Sequence, residues 1–117
     1  MNKLFPQSLI EQHELNLEQV PYDSNRVQMM QGWTSEEHVR EATAHHQKAE
    51  DLHMEIQRLQ NRIDRFFQKP YLDTKGFKRS RLKHMKGHLI QAFRKATTKT
   101  VWHTRQAEKI ITSEQNL

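Results

Sequence analysis

Apolar residues between Thr34 and Phe67 recur at alternating steps of three and four. Ala42, Ala49, Leu52, Ile56, Leu59, Ile63 and Phe66 fall on the a and d positions of a heptad, which predicts one long helix with a single buried seam. Gln47, Met54 and Asn61 lie on its opposite side, and only Met54 is apolar there. Thr34 followed by Glu37 has capping-box spacing, and Glu36 and Glu37 suit the positive end of the helix dipole. At about 1.5 Å per residue this helix spans on the order of 50 Å, a length that calls for a partner alongside.

The partner follows a break. Residues 69–76 collect Pro70, Asp73 and Gly76, a helix stop and restart. From Phe77 to about Ile111 a second stripe runs through Leu82, Met85, Leu89, Phe93, Ala96, Thr100, His103, Ala107 and Ile110. Two helices of similar length joined by a short loop predict an antiparallel hairpin.

Before the hairpin, Ser8 and Glu11 have the spacing of another capping box. Ile10, His13, Leu17 and Val20 then predict a short amphipathic helix from about Leu9 to Gln19, stopped by Pro21. Tyr22-Asp23-Ser24-Asn25 either turns the chain or caps one more turn through Val27, Met29 and Met30, before Gly32. The expected organisation is all-α: an N-terminal helical arm over 1–33, a coiled-coil-like hairpin over 34–112 (helices 34–68 and 77–112, loop 69–76), and a frayed tail over 113–117. The arm is expected to pack against one end of the hairpin.

Composition narrows the alternatives. A hydrophobic fraction of 34% suits long helices burying narrow stripes, and three glycines with three prolines are too few for the turns of an all-β domain. The absence of cysteine removes disulfides, thiolate metal sites and thiol nucleophiles. Met1 to Ile10 carries no continuous apolar run of a secretory signal, and no stretch is apolar enough to span a bilayer. A cytoplasmic protein without membrane attachment is expected.

Charge changes the picture more. Residues 1–70 hold eight Lys+Arg against eleven Asp+Glu, a net of −3, while residues 71–117 hold eleven against three, a net of +8. The basic half calls for a polyanionic partner or for pairing with the acidic half. Trp102 falls roughly 130° from the centre of the last helix's apolar stripe and shares its outward face with Arg94, Lys95, Arg105 and Lys109. An aromatic among cations suits base stacking with phosphate pairing, unless the arm folds over it. Lys75, Lys78, Arg79, Arg81, Lys83 and Lys86 form a second concentration at the loop and the start of that helix, where cations oppose the dipole and call for a bound phosphate or a nearby carboxylate such as Asp64 or Asp73.

Eight histidines raise the question of metal. His84 and His88 are spaced i, i+4, but no carboxylate completes the pair; His45 and His103 meet across the hairpin and are expected as polar seam members that loosen when protonated. No metal or other cofactor is expected. Nor is an enzyme: Glu36, Glu37, Glu41, Glu50, Asp51 and Glu55 read as a solvated face, and no nucleophile elbow or glycine-rich loop is present. The expected function is a small accessory or regulatory factor binding nucleic acid or nucleoprotein through Lys78, Arg79, Arg81, Lys83, Lys86, Arg94, Lys95, Trp102, Arg105 and Lys109. The alternative is a protein-protein adaptor or assembly subunit acting through the hairpin, including a homodimer through the seam. Gly87, on the outer face, has no assigned purpose.

Overall fold

The computed structural model describes residues 4–116. The first three residues and Leu117, which the expected arm and tail include, lie outside that range. The chain forms α1 (Gln7–Gln12), α2 (Ser24–Met29), α3 (Ser35–Gln68), a single 3-10 turn (Pro70–Asp73) and α4 (Phe77–Gln115). The long helices α3 and α4 pack side by side as an antiparallel hairpin, giving an elongated body of 68 × 27 × 19 Å.

Thr34 caps α3 as its spacing predicts: the hydroxyl accepts from the Glu37 N–H at 3.2 Å and donates to the Glu37 carboxylate at 3.3 Å. The seam buries Ala42, Ala49, Ile56, Leu59 and Ile63, joined by His38, one heptad step before Ala42. Opposite them α4 buries Leu82, Phe93, Ala96, Thr100, His103 and Ala107. Met85 departs from expectation and is exposed. The α4 residues Thr97 and Val101 are also buried, because this helix is covered on two sides, by α3 and by the arm. Its threonines solve their own polarity: Thr97 and Thr98 donate to the Arg94 carbonyl, and Thr100 to that of Ala96, at 2.8–2.9 Å. These three buried hydroxyls are thereby satisfied within α4 itself.

The arm differs from its pattern in the first helix. There is no capping box; Pro6 stands at the N-cap and Ser8 lies inside α1, which ends after Gln12 and not near Gln19. Glu14 adopts φ 52°, while Leu15 N–H donates to Ile10 O and Glu14 N–H to Glu11 O. That is a Schellman closure, usually given to glycine, and it turns the chain seven residues before Pro21. Asp23 caps α2 by accepting the Arg26 N–H at 2.8 Å. The arm places Phe5, Ile10, Leu15 and Leu17 against Ala49, Ile56, Phe93 and Val101. At the other end α4 continues through Gln115, past the expected start of fraying at Ser113.

Candidate functional site

The closed end of the hairpin gathers most of the second basic concentration. Gly76 takes φ 76°, a left-handed turn that a Cβ would strain, and starts α4 immediately afterwards. Asp73, buried by the 3-10 turn, accepts the N–H groups of Lys78 (3.1 Å) and Arg79 (2.9 Å) and the Arg79 Nε at 3.2 Å. Burial pushes this carboxyl up, but the two N–H donors and the guanidinium outweigh it and hold its pKa below the usual value. Asp73 therefore supplies the compensation that the cation-rich N-terminus of α4 requires, whereas Asp64 bonds Gln60 instead.

What remains at this end is a set of cations interleaved with rings. Phe67, Tyr71 and Phe77 are 54%, 70% and 71% exposed. The Arg79 guanidinium lies 5.3 Å and the Lys83 ammonium 5.1 Å from the Phe67 ring centre. Lys75, Lys78, Arg81 and Lys83 are all exposed around them, and Lys86 reaches across the hairpin to the Gln60 side-chain oxygen. None of the three rings was singled out from sequence. Their signal was their position beside the break, where neither heptad stripe needs an aromatic.

The first concentration is spent largely on the arm. Arg94 donates from Nε to the His13 carbonyl at 2.8 Å and lies 3.7 Å from the Glu14 carboxylate. Arg105 holds the Leu17 carbonyl and, with both terminal nitrogens, the Glu18 carboxylate. Trp102 is half-buried, its ring 5.3 Å from Tyr22, 5.8 Å from His38 and 4.9 Å from His103. The arm thus covers this stripe, and the acidic front half meets the basic back half at Arg94 and Arg105. Lys95 and Lys109 stay exposed; Lys95 lines a groove of about 650 Å³ with Asn16, Gln19 and Lys99.

The open half of the hairpin holds a histidine cluster. His103 is fully buried, its Nδ1 2.9 Å from His38 Nδ1 and its Nε2 2.8 Å from the Tyr22 hydroxyl. Trp33 stacks on one side of it at 5.9 Å and His45 also lies parallel at 5.9 Å, so the expected meeting of His45 and His103 occurs. Glu41, expected on a solvated face, places its carboxylate 3.4 Å from His45 Nε2. Burial lowers the pKa of His38, His45 and His103, helped for His103 by the neighbouring His38, His45, Lys99 and Arg26, and brings it to about 4. The shift favours the neutral form of each ring. His38 was missed, although the heptad step of four back from Ala42 lands on it. His84 and His88 stand apart on the exposed face with their Nε2 atoms 3.2 Å apart.

Among the described residues no helix is long and apolar enough to cross a membrane. Compared with protein-family models, with curated proteins and with solved structures, the chain matches none.

Proposed function

We propose that this chain is a small, non-enzymatic cytoplasmic accessory factor that binds nucleic acid or nucleoprotein with the closed end of its hairpin. The observation that carries the proposal is the exposure of Tyr71 and Phe77 amid Lys75, Lys78, Arg81 and Lys83. Exposed rings give bases a stacking surface, and the cations around them give phosphates their counter-charge. Phe67 is already flanked by Arg79 and Lys83 and extends the same surface. The contact lies at the tip and not on the Trp102 stripe, which the arm occupies; Lys95 and Lys109 extend it along α4. With no regular groove-reading helix motif, recognition is phosphate-dominated and weakly dependent on sequence.

The test is fluorescence anisotropy of labelled single- and double-stranded DNA and RNA at about 50 and about 200 mM salt. Four phosphate contacts weaken binding about 50- to 150-fold across that range, and the double variant Tyr71→Ala/Phe77→Ala weakens single-strand binding further at fixed salt. Absence of binding at the lower salt, or binding indifferent to salt, overturns the proposal.

A second function, docking on a partner protein, is favoured by one feature. Between α3 and α4 at the open end lies an apolar groove of about 300 Å³, lined by Val39, Ala42, Thr43, Thr100, Thr104, Ala107 and Ile111 among others. Small residues in its floor suit close approach of a further helix, including one from a second copy.

A further inference from the structure

We propose that His38, Glu41, His45 and His103 form a binding site for one divalent transition-metal ion of the zinc type. One donor atom each from Glu41, His45 and His103 lies within 4.8 Å of the others. His38 lies outside that triple, with its Nδ1 2.9 Å from Nδ1 of His103, and is the fourth donor of the proposed set. The α3 spacing of three and then four residues sets His38, Glu41 and His45 on one face, and α4 brings His103 against that face. Three imidazoles and a carboxylate make a full tetrahedral set, and imidazole-rich sites without thiolate suit zinc, nickel, cobalt or copper. Donors around such an ion stand about 3.3 Å apart, from bonds of about 2.0 Å. The His38–His103 pair, at 2.9 Å, and the Glu41–His45 pair, at 3.4 Å, are close to that separation already.

The surroundings fit a ligand set. His103 Nε2 pairs with the Tyr22 hydroxyl, the kind of outer contact that fixes the ring and its tautomer in metal sites. With Nε2–H donating to Tyr22, the Nδ1 lone pair of His103 faces His38. Ion binding then moves the His38 proton from Nδ1 to Nε2, and the His45 proton from Nε2, where it faces the Glu41 carboxylate, to Nδ1, both without net change in charge. Lys99, whose ammonium lies 5.4 Å from the Tyr22 ring centre, opposes a cation, and the Glu41 carboxylate offsets it. The bound ion would clamp α3 to α4 at the end of the hairpin that no loop closes.

Trp33 and Trp102, with ring centres 5.2 Å from His38 and 4.9 Å from His103, provide the readout. Full-length protein freed of metal with EDTA is titrated with Co²⁺, following tryptophan quenching and visible d–d absorption, and Zn²⁺ is then titrated by calorimetry. The expected result is saturation at one ion per chain, with a raised Tm. Glu41→Gln and His45→Gln, both at half-buried positions and checked for helicity by circular dichroism, lose the quenching and the band. Tyr22→Phe weakens affinity about ten- to a hundredfold. His84→Gln/His88→Gln leaves all of this unchanged. No saturable quenching, or binding that survives His45→Gln and Glu41→Gln but is lost in His84→Gln/His88→Gln, overturns the site.

Discussion

Arg105 grips Glu18 with both terminal guanidinium nitrogens, at 2.9 and 3.1 Å, and so fastens the arm across α4. The same Nη1 also holds the Leu17 carbonyl at 2.9 Å. Glu18 is 82% exposed, so its charge contributes little: Glu18→Gln costs under about 1 kcal/mol. Arg105→Ala removes the carbonyl bond as well and costs roughly another 1 kcal/mol. In a Trp33→Phe background, acrylamide quenching of Trp102 rises more for Arg105→Ala than for Glu18→Gln. Equal quenching in both would mean that the arm is held elsewhere.

Asp73 couples the closed end to pH. Burial opposes its charge, yet the N–H groups of Arg79 and Lys78 and the Arg79 guanidinium depress its pKa below the unfolded value. A depressed carboxylate contributes stability that is fully present above the unfolded pKa, near 4, and is lost as pH falls through the folded pKa. Thermal melts between pH 6 and pH 2.5 should therefore show a fall in Tm that Asp73→Asn reduces, with Asp73→Asn lower than the parent at pH 6. Parallel curves for the two proteins would refute the coupling.

The hairpin was legible because periodicity reports on a face that must be dry. Ala42, Ala49, Ile56 and Ile63 on one side, and Leu82, Phe93 and Ala107 on the other, are buried as their spacing requires. Met85 was overcounted, since its step belongs to the stripe while its neighbours leave it 45% exposed. The arm was less legible, because a Schellman closure at a glutamate carries no glycine to announce it. The covering of Trp102 was open from sequence: helical angle says which way a ring points, and only the return path of residues 13–22 says what it meets there. The histidine cluster lay between the two cases, with His45 and His103 foreseen by counting from the loop and Tyr22 brought in by tertiary packing alone.

His13 gives the arm its own response to pH. It is buried between Phe93, 4.7 Å away, and His53 of α3, 5.7 Å away, and its Nε2 has no hydrogen-bond partner. Burial first, then His53 of α3 and Arg94 and Lys86 of α4, lower its pKa, and the carboxylate of the next residue, Glu14, lies 3.7 Å from Arg94. A histidine with a lowered pKa contributes stability that is present above about 6.5 and lost as pH falls through the folded value. His13→Phe keeps a ring against Phe93 and removes the proton site. Between pH 7.5 and 5.5 the parent should lose more Tm than His13→Phe does, and equal losses would place the effect on other groups.

Gly87 separates helix stability from binding. It lies in the interior of α4, and a Cβ built there meets nothing within 4 Å. The chain carries the entropic cost of glycine at this position without any packing gain within its own fold. Gly87→Ala should therefore stabilise by about 0.5–1 kcal/mol, which for a chain of this size raises Tm by roughly 2–6 °C. A drop in Tm would show that the backbone there is not the regular helix described. The anisotropy assay supplies the second half of the argument, because Gly87 lies one residue from Lys86 and four from Lys83 on the basic part of α4. If Gly87→Ala raises Tm and also weakens nucleic-acid binding tenfold or more, a phosphate backbone approaches the helix at that glycine. If binding is unchanged, contact stops at the tip, with Arg81 and Lys83 as its limit.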